Sequence, residues 1–308
     1  MEIALQFVLL ALGFVMLGKG ADWFVEGAAG IAMRFGIPQL VIGLTIVAMG
    51  TSAPEAAVSI AAAVKGNADI TIGNIVGSNI LNILIILGLA ASIVPIAVAR
   101  STVRIEIPFM IGVTALLFYQ GRDGSISLAD GGVLMVAFAA YMMYLYTMAM
   151  KSNVDSDLEE PGLSLGRCLL GAVGGLALII AGSNVTVGAA TSIATYAGLS
   201  ERFIGLTIVA LGTSLPELFP SVAAARRGNA DIAIGNIVGS NIFNILFVVG
   251  LSALIIDIPF ASAFNFDTYV ALGAAVLLLL CVLRTQRLQR WAGALMLVCY
   301  AAYLGYIL

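Results

Sequence analysis

Histidine is absent from this 308-residue chain, which removes the commonest general base and the usual zinc ligand. Metalloenzyme chemistry is therefore a poor fit. Charge is almost as scarce: 10% of residues are Asp, Glu, Lys or Arg, against 61% hydrophobic, with a mean hydropathy of +1.08. That is too little polar surface for a soluble globule, so a polytopic membrane protein is expected. The net charge is only −3 and no basic patch is interleaved with aromatics, which argues against nucleic acid as a partner. The three cysteines, Cys168, Cys281 and Cys299, have no paired spacing and read as small core hydrophobes rather than disulfide or metal positions. The opening Met-Glu-Ile-Ala lacks a basic n-region and no small-residue cleavage site follows, so the first apolar run is expected to be a retained helix.

Long apolar runs are what the chain does have. Runs able to cross a hydrocarbon core of about 30 Å fall near 3–20, 38–64, 70–95, 105–121, 128–150, 165–182, 201–224, 231–256, 268–284 and 291–308. The first helix of each half is expected to extend toward Phe35 or Tyr196. The expected fold is all-α, with ten transmembrane helices in two five-helix units, 1–150 and 163–308. Between them, 151–162 carries Asp155, Asp157, Glu159 and Glu160 and reads as a short solvated linker, without the glycine and ligand spacing of an EF-hand loop.

With the N-terminus outside, ten basic residues face the cytoplasm: Arg34, Arg100, Arg104, Lys151, Arg167, Arg226, Arg227, Arg284, Arg287 and Arg290. Only Lys65, Arg122 and Arg202 face out, and Lys19 lies within or at the end of the first span. This bias places both termini on the outer face of the cell (inner) membrane. Five helices is an odd number, so the second unit enters in the opposite sense and the repeat is inverted.

The repeat itself is explicit. Residues 42–89 return without a gap as 204–251, differing at 13 of the 48 aligned positions. Each copy contains Gly-Thr-Ser-x-Pro-Glu, at Gly50 to Glu55 and Gly212 to Glu217, followed by Gly-Asn-Ile-Val-Gly-Ser-Asn-Ile-x-Asn. A proline inside a helix cannot donate to the carbonyl four residues back, so Pro54 frees the Gly50 carbonyl and Pro216 frees that of Gly212. In lipid such oxygens must find protein, water or an ion. Thr51 and Ser52 share a helical face with Glu55, as Thr213 and Ser214 do with Glu217. In the next helix Asn74, Ser78 and Asn82 form one stripe, and Asn236, Ser240 and Asn244 another. Gly73, Gly77, Gly235 and Gly239 allow close backbone approach.

A lone proline kink beside a hydroxyl is more often packing than site. Two copies that each place a glutamate after the proline reverse that weighting, because a mid-membrane carboxylate needs a partner and neither motif helix offers a cation. Asn74 and Asn236 read first as interhelical hydrogen-bonding residues, Asp69 and Asp231 as helix N-terminal groups. Two carboxylates with hydroxyls, carboxamides and carbonyls form an all-oxygen set. That set suits a hard cation such as calcium, or sodium after partial dehydration, better than magnesium. One calcium, two sodium ions or two protons would each neutralise the buried pair, which is a physical basis for exchange.

At these residues the chain resembles the cation/calcium antiporter superfamily, and most closely its prokaryotic sodium/calcium exchangers. The resemblance covers nearly the whole length. It implies a pocket between the second, third, seventh and eighth helices, with Thr51, Ser52, Glu55, Ser78 and Asn82 as metal ligands from one half. Thr213, Ser214, Glu217, Ser240 and Asn244 match in the other, and the carbonyls of Ala48 and Ala210 are implied sodium ligands. It further implies secondary active exchange of sodium for calcium by alternating access, with the glycine-bearing first and sixth helices sliding across the core. The implied partners are the two ions and the lipid bilayer, with no cofactor and no protein partner. Asn244 departs from the aspartate of several sodium/calcium exchangers. Two carboxylates rather than three also occur in calcium/proton members, so calcium/proton antiport stays open as the alternative. A calcium-selective channel is a further competitor, while an intramembrane protease lacks a nucleophile–base pair here.

Overall fold

The computed structural model describes residues 2–66, 68–152, 164–198 and 210–307. Helix α1 spans Glu2–Phe35. A broken pair follows, α2 Gln39–Thr51 and α3 Ala53–Val64, bent by 51°. Then come α4 Ile70–Ile93, α5 Thr102–Asp123 and α6 Leu128–Ser152. The rest of the chain forms α7 Leu165–Tyr196, α8 Ala210–Thr213, α9 Leu215–Arg226, α10 Ala230–Ile255, α11 Phe264–Val282 and α12 Arg290–Ile307.

Among the described residues eight helices are long and apolar enough to cross a membrane, or nine with the bent α2–α3 pair counted as one span. Of the ten expected spans, the one near 201–224 is described only as α8 and α9. Its first part, with Arg202, lies outside the described residues, as does the linker beyond Ser152 with its four acids. The first and sixth runs extend to Phe35 and Tyr196. At about 1.5 Å per residue each of these helices is roughly 50 Å long, more than a bilayer core, so they must tilt or project.

The core is α4 and α10. In their most apolar windows 78% and 83% of residues are buried, against 17% for α1, α6 and α12. Apolar side chains such as Ile75 and Ile237 fill this centre, whereas Leu5, Val136, Leu170 and Val298 stand exposed on the rim, as lipid-facing residues do. Both core helices widen into a π-helical turn at the equivalent asparagine, Asn82–Leu87 and Asn244–Val249.

Around that centre α1 and α7 run antiparallel in close contact. A Cβ placed on Gly13, Gly20 or Gly27 would lie 2.9, 2.9 or 2.4 Å from the backbone nitrogen of Thr186, Ile179 or Ala172. Glycines every seven residues therefore form the seam that lets the backbones touch. Two short antiparallel ladders tie the loops: β1 Ile96–Ala97 with β4 Arg287–Leu288, and β2 Ser125–Ile126 with β3 Ile258–Pro259. Val98 N–H donates to the Gln286 carbonyl at 2.9 Å and Phe260 N–H to that of Gly124 at 2.8 Å. The acceptor residues, Gln286 and Gly124, have left-handed φ of 49° and 97°.

Candidate intramembrane cation site

The two broken spans deliver the carboxylates. Ser52, with φ −81° and ψ 5°, leaves the helix between α2 and α3, and Pro54 sits in the first turn of α3, where a missing N–H is tolerated. Ser214 and Pro216 repeat this between α8 and α9. Glu55 and Glu217 thus enter the first turns of their helices, 2% and 1% exposed.

Crossed hydrogen bonds join the halves. Ser52 Oγ donates to Glu217 Oε1 at 2.9 Å, and Thr51 Oγ1 to Asn236 Oδ1 at 3.1 Å. Ser240 Oγ donates to the Ala48 carbonyl at 3.3 Å, which also accepts from Thr51 Oγ1 at 3.3 Å and Ser52 N–H at 3.0 Å. Asn74 Nδ2 donates to Ser59 Oγ at 3.0 Å and the Glu55 carbonyl at 3.4 Å. Asn236 does the same to Ser221 at 2.9 Å and the Glu217 carbonyl at 3.2 Å. Both asparagines thus spend their N–H groups bracing the carboxylate-bearing helices against α4 and α10, the interhelical role expected for them.

Among the described residues fourteen buried side-chain oxygens lack a hydrogen-bond partner, and six of them belong to the expected ligand residues: both carboxylate oxygens of Glu55, Glu217 Oε2, Asn82 Oδ1, Asn244 Oδ1 and Ser214 Oγ. Buried polar atoms are normally satisfied, so a concentration of orphaned acceptors on elements already linked by hydrogen bonds is what a bound cation would complete. Ser78 and Ser240 are buried beside them on α4 and α10. Thr213 closes α8 and Ala210 opens it.

Several contributors lie outside the expected ligand set. Ser183 of α7 donates to the Gly212 carbonyl at 2.8 Å, the oxygen that Pro216 frees, whereas the equivalent first-half position is Ala21. Ser59 and Ser221 are repeated in both copies and lie one helical turn after the glutamates, the spacing that could have found them. Asn79 and Asn241 sit inside the quoted motif but off its polar stripe. Of the four glycines expected to allow close backbone approach, Gly235 and Gly239 do so, a Cβ there lying 3.1 Å from Gly43 Cα and 2.8 Å from Leu44 Cα, whereas Gly73 faces only the Phe264 ring and Gly77 has nothing within 4 Å.

A cavity of about 560 Å³ lies between α1, the end of α4 and α9, lined by Gly18, Asp22, Ile93, Leu218, Phe219 and Arg226. At its rim Arg227 pairs with Asp22 at 3.0 Å and Glu26 at 3.4 Å.

Comparison with known proteins agrees with this architecture. The family model for the sodium/calcium exchanger protein matches residues 5–147 and 168–308. Inner membrane protein YrbG of Escherichia coli strain K12 is 38% identical over 305 residues, spanning 94% of this chain and 92% of the relative. Sodium/calcium exchanger MaX1 of Methanosarcina acetivorans is 33% identical over 345 residues, 98% of each chain. The solved sodium-calcium exchanger NCX_Mj, soaked with zero sodium and calcium, superposes with a TM-score of 0.86 at 33% identity, covering 99% of this chain and all of the other. An all-helical, multi-pass frame is thus shared along nearly the full length, and the chain belongs to the sodium/calcium exchanger family of the cation/calcium antiporters, which are transporters rather than enzymes.

Proposed function

We propose that this protein exchanges sodium for calcium across the cell (inner) membrane by alternating access. Ten spans form two inverted five-helix repeats, 1–150 and 163–308, joined by 151–162, with both termini on the outer face. The observation that carries the reading is the set of six unpartnered buried oxygens drawn from both halves. Glu55 and Glu217 supply the charge, Asn82, Asn244 and Ser214 supply neutral oxygens, and Thr51, Ser52, Ser78, Thr213 and Ser240 stand beside them. The carbonyls of Ala48 and Ala210 are the proposed sodium ligands. Six to eight oxygens are what calcium takes. The antiparallel α1–α7 seam and the crossed pairing of loop strands support the inverted arrangement. The cavity at Asp22 and Arg226 is the cytoplasmic approach, and α1 and α7, locked by their glycines, move as one unit.

The specific feature favouring calcium/proton exchange instead is Asn244, which leaves two carboxylates in the pocket. Calcium-45 uptake into sodium-loaded proteoliposomes diluted into sodium-free buffer, beside liposomes carrying a proton gradient alone, separates the two. Uptake that requires internal sodium is expected; uptake driven by the proton gradient alone assigns the chain to calcium/proton exchange. Flux without any counter-ion would make it a channel.

A further inference from the structure

Asn79 and Asn241 occupy equivalent positions on α4 and α10 and meet across the centre of the molecule. Asn79 Nδ2 donates to the Asn241 backbone carbonyl at 3.2 Å, and Asn241 Nδ2 to the Asn79 carbonyl at 3.2 Å. Both residues are buried. A carbonyl only accepts, so each carboxamide is fixed with its nitrogen toward the facing backbone and its oxygen turned away. Those oxygens are then taken by the next turn of the opposite helix: Asn82 Nδ2 donates to Asn241 Oδ1 at 2.9 Å and Asn244 Nδ2 to Asn79 Oδ1 at 3.1 Å. With its nitrogen held there, each of Asn82 and Asn244 is left presenting an oxygen with no protein partner.

We infer that Asn79 and Asn241 are positioning residues that fix the amide orientation of Asn244 and Asn82, each acting on the other half of the molecule, so that two carboxamide oxygens rather than nitrogens face the cation. This rests on the proposed calcium site. A flipped Asn244 would present an N–H₂ group to a cation and set oxygen against Asn79 Oδ1. The same geometry accounts for asparagine at 244: an aspartate there has no N–H to donate, and its carboxylate would meet Asn79 Oδ1 oxygen to oxygen. The clasp therefore suits a pocket with two carboxylates.

The test is a pair of double-mutant cycles read by calcium titration calorimetry on purified protein, with the calcium-induced shift in thermal unfolding as a second readout. Asn79→Ala is expected to weaken calcium binding about five- to tenfold in the wild-type and Asn82→Ala backgrounds, the scale of one neutral hydrogen bond. In an Asn244→Ala background the same change should have less than about a twofold effect, because the group it orients is gone. Asn241→Ala should show the mirror pattern, coupling to Asn82 and not to Asn244, so a variant that does not fold leaves the other cycle to decide. Equal losses in both backgrounds would reduce the clasp to a packing contact and overturn the inference alone. A wild-type protein that binds no calcium would overturn the proposed site along with it.

Discussion

Ser52 donates its hydroxyl to Glu217 Oε1 at 2.9 Å across the two halves, while the equivalent Ser214 Oγ and both oxygens of Glu55 have no hydrogen-bond partner. The two carboxylates of a closely repeated motif are therefore unequal in this conformation. Glu217 is partly tied to the opposite half, and Glu55 is the freer charge. The asymmetry lies in the side chains, not in the backbone breaks, which match at Ser52 and Ser214.

Glu55→Gln and Glu217→Gln should each reduce calcium transport to background in proteoliposomes while leaving a folded protein. Each removes half the charge that a calcium ion neutralises. Because an orphaned buried charge is costly, Glu55→Gln should also stabilise the calcium-free protein by about 1–3 kcal/mol, with a smaller gain for Glu217→Gln, which still accepts from Ser52. Chemical unfolding in calcium-free buffer measures this. Retained exchange in either variant would falsify the assignment of these carboxylates.

Ser183→Ala should destabilise the protein by about 1–3 kcal/mol, since the Gly212 carbonyl that Pro216 frees would lose its donor in a water-poor interior. Ser183→Thr keeps a hydroxyl and should recover most of the loss. If alanine and threonine behave alike, the 2.8 Å contact contributes nothing to stability.

The repeat, the broken spans and the carboxylates were legible because they rest on local chemistry: proline position, glutamate in an apolar run, glycine and asparagine at helical spacing. What was not legible depends on partners distant in sequence. Asn79 and Asn241 were identical in both copies, yet a four-residue stripe through Asn74, Ser78 and Asn82 leaves them on another face, and only the meeting of α4 with α10 shows their role. Ser183 has alanine as its counterpart, so the repeat is silent about it. Hydropathy cannot separate lipid-facing from core residues when both are apolar: Ile70 is 54% exposed and Ile75 fully buried. The glycines of α1 were visible, but their heptad spacing acquires meaning only with α7 set antiparallel against it.

That seam makes a prediction with an internal control. A Cβ at Gly27 would lie 2.4 Å from Ala172 N and 2.5 Å from the Cys168 carbonyl oxygen, both backbone, whereas nothing lies within 4 Å of one at Gly18. Gly27→Ala should therefore force the helices apart and cost about 1–3 kcal/mol. Gly18→Ala on the same helix should be neutral or stabilising by up to about 1 kcal/mol through helix propensity. Thermal unfolding of the two purified variants distinguishes them, and equal effects would mean that α1 and α7 are not in backbone contact.

The proposed inversion of the repeat is tested by two equivalent residues. Lys65 and Arg227 occupy the same position in the two copies, immediately after α3 and α9, so an inverted arrangement requires them on opposite sides of the membrane. In a background with Cys168, Cys281 and Cys299 replaced, Lys65→Cys should react with a membrane-impermeant maleimide applied from outside. Arg227→Cys should react only after permeabilisation. The second substitution also removes the ion pairs to Asp22 and Glu26, but exposed pairs of this kind contribute about 1 kcal/mol or less, so the variant should fold and report faithfully. Labelling of both cysteines from one side would mean that the two copies enter the membrane in the same sense, leaving two stacked repeats with no common midplane at which Glu55 and Glu217 could share a cation.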